Sequence, residues 1–213
     1  YNRDSYIEWL QTQTGEIDYT GHHFNWIREV KGLHARRAPG ITCLTALQSL
    51  ADGKEVINDS KGCGGIMRVA PLALFAANPT THDNTRQRII DFAKEAGKAA
   101  ALTHKHPLGY RPAAFLAILI QQLMPYSYIR KDQIRECIDE CISILTEIYP
   151  EHRGHIDYIK TLTDKAILLS YDSTSDAEAI ALLGEGWVAE ETLAIAIYCL
   201  MKYPDDFEKA IVA

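Results

Sequence analysis

Residues 132–148, DQIRECIDECISILTEI, decide the fold class. Apolar side chains recur at steps of three and four residues: Ile134, Cys137, Ile138, Cys141, Ile142, Leu145 and Ile148. These steps place the side chains on one face of an α-helix, which has 3.6 residues per turn. The stretch therefore predicts an amphipathic helix with one face in a core and with Asp132 as its N-cap. Cys137 and Cys141 are interpreted as small apolar core residues.

The same helical period dominates the rest of the chain. Gly53 and Pro204 are predicted to end helices, and Asn84 and Asp205 are predicted to be N-caps. Ser175 with Glu178 is predicted to form a capping box. Alternation with a period of two residues does not extend beyond four residues, and no Asn-Gly or Asp-Gly hairpin turn joins β-branched runs. The sequence predicts an all-α fold, a single compact multi-helix domain of about eight to eleven helices.

The charge balance and the cysteine content of the sequence indicate which partners and which cellular compartment to expect. The 213 residues include 28 Asp and Glu against 22 Lys and Arg, a formal charge of −6, which argues against a general nucleic-acid binder. No apolar run reaches the length of a membrane span, and no signal peptide is visible. Five cysteines without a C-x-x-C pair favour a reducing compartment, so we expect a cytoplasmic protein. Because the chain begins at Tyr1 and stops within a helical pattern, we expect residues 1–213 to be one domain that is incomplete at both ends.

Residues 60–68, SKGCGGIMR, do not follow the helical pattern. Three glycines fall within four residues, at positions 62, 64 and 65, directly before an apolar segment. Glycines let backbone N–H groups converge and let a ligand approach closely, which suits a phosphate or a ribose. The spacing is neither a Walker loop nor a dinucleotide fingerprint. A tight loop packed between helices is an equally good interpretation of the same residues.

Two further segments, residues 102–110 (LTHKHPLGY) and 184–191 (GEGWVAEE), also interrupt the helical pattern. His104 and His106 can be metal ligands, but two imidazoles without a third ligand do not make a site, and a helix cap is the alternative. Trp187 can stack on a base or cover a sugar, or it can be a core anchor. Glu190 and Glu191, at a helix entrance, can simply complement the helix dipole.

The segments SKGCGGIMRVAPLAL (60–74), LTHKHPLGY (102–110) and LGEGWVAEETLAIAIYCL (183–200), in this order, resemble the ADP-ribosylglycohydrolase family. The segment RAPGITCLTAL (37–47) resembles that family as well. The resemblance runs from about Tyr6 to the last residue. It implies an all-α protein that hydrolyses the bond between ADP-ribose and a modified side chain with the help of two divalent metals.

The resemblance also implies a binding site for ADP-ribose. The glycine-rich segment would line the cleft, the histidine segment would approach the diphosphate and its ribose, and the tryptophan segment would lie near the adenosine or the distal ribose. The implied substrate-binding residues are Gly62, Cys63, Gly64, Gly65, Met67, His104, Gly109, Tyr110, Gly186 and Trp187. Arg68 is expected to brace the glycine-rich segment by hydrogen bonds rather than to touch the substrate.

The sequence departs from the family pattern in two respects. The family's metal ligands lie in two acidic motifs, and neither motif occurs here; the pair Asp172 and Asp176 is interpreted as a loop and a helix start. We therefore expect two Mg²⁺ or Mn²⁺ ions in the intact protein, no metal pair and no turnover in this chain alone, and we assign no catalytic residue. Cys63 stands where the family often has Asn, and a thiol is a poor hydrogen-bond donor, which leaves the substrate open.

Three functions remain in competition. The first is a hydrolase that acts on ADP-ribosylated proteins or on related ADP-ribose conjugates. The second is a non-catalytic relative that keeps the fold as a binding or structural module. The third is a helical scaffold domain unrelated to nucleotides, which binding of ADP-ribose would separate from the other two.

Overall fold

The computed structural model of the protein describes residues 2–15, 26–76, 86–151 and 153–213. These ranges hold ten α-helices and three short 3₁₀ turns, at Trp26–Glu29, Lys31–His34 and Ile66–Arg68. The helices are α1 (Asn2–Thr14), α2 (Ile41–Ala51), α3 (Ala70–Ala76), α4 (Arg86–Ala101), α5 (Pro107–Leu123), α6 (Lys131–Ile148), α7 (Arg153–Tyr171), α8 (Asp176–Leu183), α9 (Ala189–Lys202) and α10 (Phe207–Val212). No strand occurs in the described ranges, and the predicted all-α fold is confirmed.

Helix α5 forms the centre of the molecule and packs against α3, α4, α6 and α9. Its middle is apolar on every side, with Ala113, Ala114, Phe115, Ala117 and Ile118 all fully buried. A helix that is apolar all round has no face suited to water, and it is stable only when other helices surround it. The fold is therefore a set of amphipathic helices arranged around one apolar helix.

Helix α6 confirms the amphipathic pattern that decides the fold class. Ile134, Cys137, Ile138, Cys141, Ile144 and Leu145 are buried, and both cysteines are free thiols. The prediction of Asp132 as the N-cap is wrong. The helix begins at Lys131, so Asp132 lies within its first turn, where it accepts hydrogen bonds from the Arg130 guanidinium.

The other predicted helix boundaries have mixed outcomes. Gly53 follows α2 with a φ of +71°, and Ser175 with Glu178 forms the predicted capping box at α8. Helix α9 ends at Lys202, just before Pro204 as predicted. The cap of α10 is Asp206 rather than Asp205, because the carboxylate of Asp206 accepts the backbone N–H of Lys209 at 3.0 Å. The predicted cap Asn84 lies outside the described residues.

None of the helices in the described ranges has the length and hydrophobicity that crossing a bilayer requires. The apolar residues of α5 are interrupted by Gln121. Its side chain is buried and donates to the carbonyl oxygen of Ala117 at 3.1 Å.

The contact between α4 and α5 allows a test of packing at Gly97. A Cβ atom at this position would lie 2.4 Å from the hydroxyl oxygen of Tyr149, which follows α6. We expect Gly97→Ala to lower the free energy of unfolding by about 1–3 kcal/mol, because overpacking outweighs the gain in helix propensity. Urea unfolding followed by circular dichroism measures the change.

Gly154→Ala is the matched control, because a Cβ at Gly154 in α7 meets no atom within 4 Å. This substitution should raise stability by up to about 1 kcal/mol. The combined Gly97→Ala/Tyr149→Phe variant should recover part of the loss, since it removes the atom that collides. A Gly97→Ala protein as stable as the wild type would show that the Tyr149 side chain can move aside at no cost.

Candidate functional site

Three loops that are distant in sequence lie together at one end of the helices. We call them the glycine loop (residues 60–65), the histidine loop (residues 102–106) and the tryptophan loop (residues 184–188). The glycine and tryptophan loops pair through an antiparallel bridge between Gly62 and Val188. The N–H of Cys63 donates to the carbonyl of Trp187 at 3.0 Å, and the N–H of Ala189 donates to the carbonyl of Lys61 at 2.8 Å. These bonds fix the two loops in one register.

The histidine loop contacts the opposite side of the glycine loop. The N–H of His106 donates to the carbonyl of Ser60 at 3.3 Å. The side chain of Asn58 extends the contact, because its amide nitrogen donates to the carbonyl of Thr103 at 2.9 Å and its amide oxygen accepts the N–H of Lys105 at 3.1 Å. The structure thus confirms the prediction that the three loops lie together.

The glycines at positions 62, 64 and 65 are required by close packing. None of them has a φ in the left-handed region. A Cβ at Gly62 would lie 3.3 Å from Nε2 of His104, and one at Gly64 would lie 3.1 Å from Sγ of Cys43. A Cβ at Gly65 would lie 3.1 Å from Cβ of Ala100. The interpretation as a loop packed between helices is therefore correct, whether or not a ligand also approaches these residues.

Arg68, which follows the glycine loop, joins it by hydrogen bonds to the end of α4 and to the histidine loop, and none of these bonds goes to residues 60–65. Its Nη2 atom donates to the carbonyl of Ala99 at 2.6 Å and to the hydroxyl of Thr103 at 2.7 Å. These bonds satisfy a carbonyl at the C-terminal end of α4, where backbone acceptors lack helical partners. The guanidinium also lies 4.6 Å from the centre of the Tyr6 ring, which connects α1 to the same point.

His104 is buried and is held in its neutral form. Burial, and secondarily the positive charge of Arg68, lower the pKa of His104 from 6.5 to about 4. Its Nδ1 atom lies 2.8 Å from the hydroxyl oxygen of Thr103, which already accepts from Arg68. The Thr103 hydroxyl and Nδ1 share one hydrogen bond, which fixes the orientation of the imidazole. The neutral ring therefore faces Gly62 and Gly64 with its Nε2 edge.

His106 is a helix cap. It precedes α5, and its Nδ1 atom accepts the backbone N–H of Leu108 at 3.0 Å. Gly109, in the first turn of α5, touches the glycine loop directly, since a Cβ there would lie 2.7 Å from the carbonyl oxygen of Ser60. Tyr110 lies next to it but packs towards Tyr149, with ring centres 5.8 Å apart. Of these residues, Gly109 contacts the glycine loop, and Tyr110 joins the core beside it.

Trp187 is not a core anchor, because 73% of its surface is exposed. The preceding Gly186 has a φ of +73°, which favours glycine. The Glu191 carboxylate accepts the N–H of Gly186 at 3.2 Å and so fixes the turn that presents the indole. Met67, at the other end of the glycine loop, is also largely exposed. Cys63 is half-buried and packs against the core.

One open cavity reaches the edge of the glycine loop. It has a volume of about 250 Å³, lies between α2 and residues 56–60, and is lined by Ser60. A larger cavity of about 370 Å³ lies between α1 and α2, and no residue of the three loops lines it. None of the predicted binding residues lines either cavity.

Sequence reasoning missed the ion pair between Lys61 and Glu190. The ammonium nitrogen lies 2.5 Å from Oε1 of Glu190, across 129 positions of sequence. The hydrogen bond from Lys61 joins the glycine loop to the first turn of α9, in addition to the backbone pairing. A lysine beside a glycine cluster and two adjacent glutamates at a helix start were the available signals, but neither fixes a partner.

The described residues do not form a metal site. No group of three or more His, Cys, Asp or Glu side chains in these ranges is arranged to hold a metal ion. Asp172 accepts from the N–H and hydroxyl of Thr174, and Asp176 accepts the hydroxyls of Tyr198 at 2.6 Å and Tyr203 at 2.8 Å. These carboxylates have loop and packing roles, and a divalent cation needs several convergent oxygen ligands.

Comparison with known proteins places these loops in a family. A family model described as ADP-ribosylglycohydrolase matches residues 2–213. The chain is also similar to the ADP-ribosylhydrolase ARH3 of Bos taurus, at 27% identity, of Mus musculus, at 30%, and of Homo sapiens, at 26%. Each match covers 152 residues, which is 67% of this chain and 38% of the relative. The chain thus matches well under half the length of these curated relatives.

The packing of Gly109 against the glycine loop predicts a local effect. We expect Gly109→Ala to push residues 60–62 away from α5, because the nearest atom is a backbone oxygen that cannot rotate aside. The amides of Cys63 and Ala189 should then exchange with deuterium about tenfold faster or more, since their bonds depend on that register. Hydrogen exchange read by mass spectrometry or NMR measures this.

Gly32→Ala serves as the control for Gly109→Ala, because a Cβ at Gly32 meets nothing within 4 Å. It should leave both exchange rates unchanged. Unchanged protection in Gly109→Ala would mean that the glycine loop is not held by α5.

The buried, neutral His104 predicts a pH dependence of stability. Its pKa is about 4 in the folded protein and 6.5 when unperturbed, so the unfolded chain binds a proton first as the pH falls. The stability that it contributes is present above about pH 6.5 and is lost as the pH falls towards 4. A ¹H–¹³C NMR titration of the ring should give an apparent pKa near 4.

The His104→Gln variant should show a shallower fall in unfolding free energy between pH 6.5 and pH 4, because it lacks this titration. A ring that titrates near 6.5 would contradict the burial and the neutral state described for His104.

Proposed function

The chain belongs to the ADP-ribosylglycohydrolase family, and we propose on that basis that it is part of a hydrolase that releases ADP-ribose from modified proteins or from related ADP-ribose conjugates. The observation that carries the proposal is the assembly of the glycine, histidine and tryptophan loops at one end of the helices. The three segments come from separate parts of the sequence, and all three had been predicted to bind the same ligand.

The chemistry of the three loops suits a nucleotide sugar. The exposed indole of Trp187 offers a flat apolar face on which an adenine ring or a ribose can lie. His104 offers the Nε2 edge of a neutral imidazole for a hydrogen bond with a ribose or a phosphate. Gly62 and Gly64 let the loop backbone lie against the His104 imidazole, so a ligand that reaches His104 also lies beside these two residues. We assign binding roles to these residues, to Cys63, Gly65, Met67 and Gly186, and to Gly109 and Tyr110 as the support beside them.

The proposed reaction adds water across the bond at the anomeric carbon of the ribose. The hydroxyl group joins the carbon and the proton goes to the departing side chain, through a transition state with oxocarbenium character. The residues of this chain would orient the ADP-ribose, which lowers the barrier by fixing the reacting geometry. No side chain among the described residues is proposed as the catalytic base.

A pair of Mg²⁺ or Mn²⁺ ions is part of the proposal for the whole protein. Such ions can orient hydroxyls and activate water. The described residues offer no ligand set for them, so no step here is assigned to a metal. Five free cysteines suit a reducing compartment, and a cytoplasmic location completes the proposal.

The test measures binding and release separately. Isothermal titration calorimetry of residues 1–213 with ADP-ribose should give binding, but these residues alone should release no label from a radiolabelled ADP-ribosylated protein. The longest natural form of the protein should release label when Mg²⁺ or Mn²⁺ is present and not in chelator. Binding without release in the longest natural form of the protein would support the non-catalytic alternative. Absence of binding would contradict both and favour a helical scaffold.

Trp187→Ala provides the residue-level test. Loss of stacking should raise the dissociation constant for ADP-ribose about 5- to 150-fold, from the ~1–3 kcal/mol typical of base stacking on an aromatic side chain. Turnover at saturating substrate should change much less, because stacking acts on binding. Trp26→Ala is the control, since Trp26 is similarly exposed but lies outside the three loops. Equal effects of the two substitutions would remove Trp187 from the site.

A further inference from the structure

The ion pair between Lys61 and Glu190 is unusual in its burial. The Glu190 side chain is only 1% exposed, whereas 42% of the Lys61 side chain is exposed. Oε2 of Glu190 is buried and has no hydrogen-bond partner, so the carboxylate depends on Lys61 for its compensation. A buried carboxylate with one partner is costly, since its desolvation is only partly offset. Two apolar side chains could hold the loops together without this desolvation cost. The presence of an ammonium group therefore suggests that it has a role beyond joining the loops.

The pairing of the loops puts Lys61 close in the backbone to the exposed indole. The carbonyl of Lys61 accepts the N–H of Ala189, and the N–H of Cys63 donates to the carbonyl of Trp187. The ammonium of Lys61 continues this contact, because it bonds Glu190 in the first turn of α9. Lys61 and the exposed Trp187 are therefore held on two paired loops, and Gly62, next to Lys61, faces His104.

Few other groups in the three loops can balance a negative charge. The N–H of Gly62 points to the hydroxyl of Ser60, and that of Cys63 is bonded to Trp187. Arg68 is committed to the end of α4 and to Thr103, and burial keeps His104 neutral. Among the cationic side chains described in residues 60–69, 102–110 and 184–191, this leaves Lys61 and the exposed Lys105.

We propose that the Lys61 ammonium, held in place by Glu190, binds the diphosphate of ADP-ribose. The inference rests on the proposed function and adds a specificity-determining residue to it. An ammonium group has three N–H donors, of which Glu190 takes one, so two remain for phosphate oxygens. The Glu190 carboxylate balances the charge of the Lys61 ammonium, so the pair exerts little attraction on distant anions. Lys61 therefore binds a phosphate only when the phosphate comes within hydrogen-bonding distance of the loop.

The hydrogen bond from Lys61 to Glu190 also fixes the orientation of a long side chain that would otherwise be mobile. Glu190, by this bond, is a positioning residue, and it raises the pKa of Lys61, which keeps the ammonium charged. Loss of the lysine alone would leave an unpaired buried carboxylate, and the resulting defect in folding would be mistaken for a defect in binding. The test therefore needs a variant that keeps the pair but removes the charge.

The decisive variant is Lys61→Gln/Glu190→Gln. Two amides can still bond across the loops, and the net charge of the pair stays at zero, but no ammonium remains. Isothermal titration calorimetry at fixed ionic strength should show ADP-ribose binding about 10- to 100-fold more weakly than to the wild type, the range for loss of a hydrogen bond to a charged group. ADP, which keeps the diphosphate, should lose affinity by a similar factor.

Lys160→Gln is the matched control, because it removes an exposed lysine that also pairs with a carboxylate, Asp164, but lies in α7 outside the three loops, and it should leave affinity unchanged. Lys61→Arg, which keeps a charged donor beside Glu190, should recover at least half of the lost binding free energy. Hydrogen exchange at the amides of Cys63 and Ala189 checks that the double variant keeps its loop pairing. Should it lose that pairing, the comparison of Lys61→Arg with Lys61→Met/Glu190→Leu, an apolar pair of similar size, gives the same decision.

Wild-type affinity in the double variant with intact loop pairing would overturn the inference and reduce the ion pair to a latch. It would leave the proposed function standing. A wild-type protein that fails to bind ADP-ribose at all would instead overturn the proposed function, and the two failures are therefore distinguishable.

Discussion

Burial of α5 on all sides is the constraint on which the rest of the structure depends. Its alanines and Phe115 leave no face for water, so α3, α4, α6 and α9 must surround it. Small side chains allow these helices to approach closely, and close approach explains why Gly97 and Ala114 meet at the contact between α4 and α5. Once α5 is enclosed, its first turn and the first turn of α9 lie near the same end, and the loops that precede them are brought together.

The site is an extension of this packing. The glycines of the glycine loop are dictated by His104, Cys43 and Ala100, and Arg68 joins the loop to the end of α4. Packing therefore accounts for the glycines on its own, and the binding role that we propose for these residues comes in addition to it.

Much of the fold was predictable from the sequence, because helical periodicity is a local signal. The buried stripe of α6, the capping box at Ser175 and the turn at Gly53 followed from neighbouring residues alone. The caps at Asp132 and Asp205 were each misassigned, since the N-caps are Arg130 and Asp206. Several polar residues stand at each helix start, and only geometry decides which of them is the cap. The segments that form the site were found by composition, but their contacts were not. The bond from Lys61 to Glu190 spans 129 positions, and no local pattern indicates which of many charged residues will meet.

The bridge between Gly62 and Val188 has a consequence for the order in which the molecule assembles. The two segments that form the bridge are separated by most of the chain. Joining them costs loop-closure entropy, and the few hydrogen bonds of the bridge offset only part of that cost. Local helices can form early, whereas this long-range contact can form only once the helices around α5 have docked. The end that carries the three loops should therefore be among the last parts to acquire native order during folding. If the proposed function holds, a newly made chain gains its affinity for ADP-ribose only when nearly all of its helices are in place.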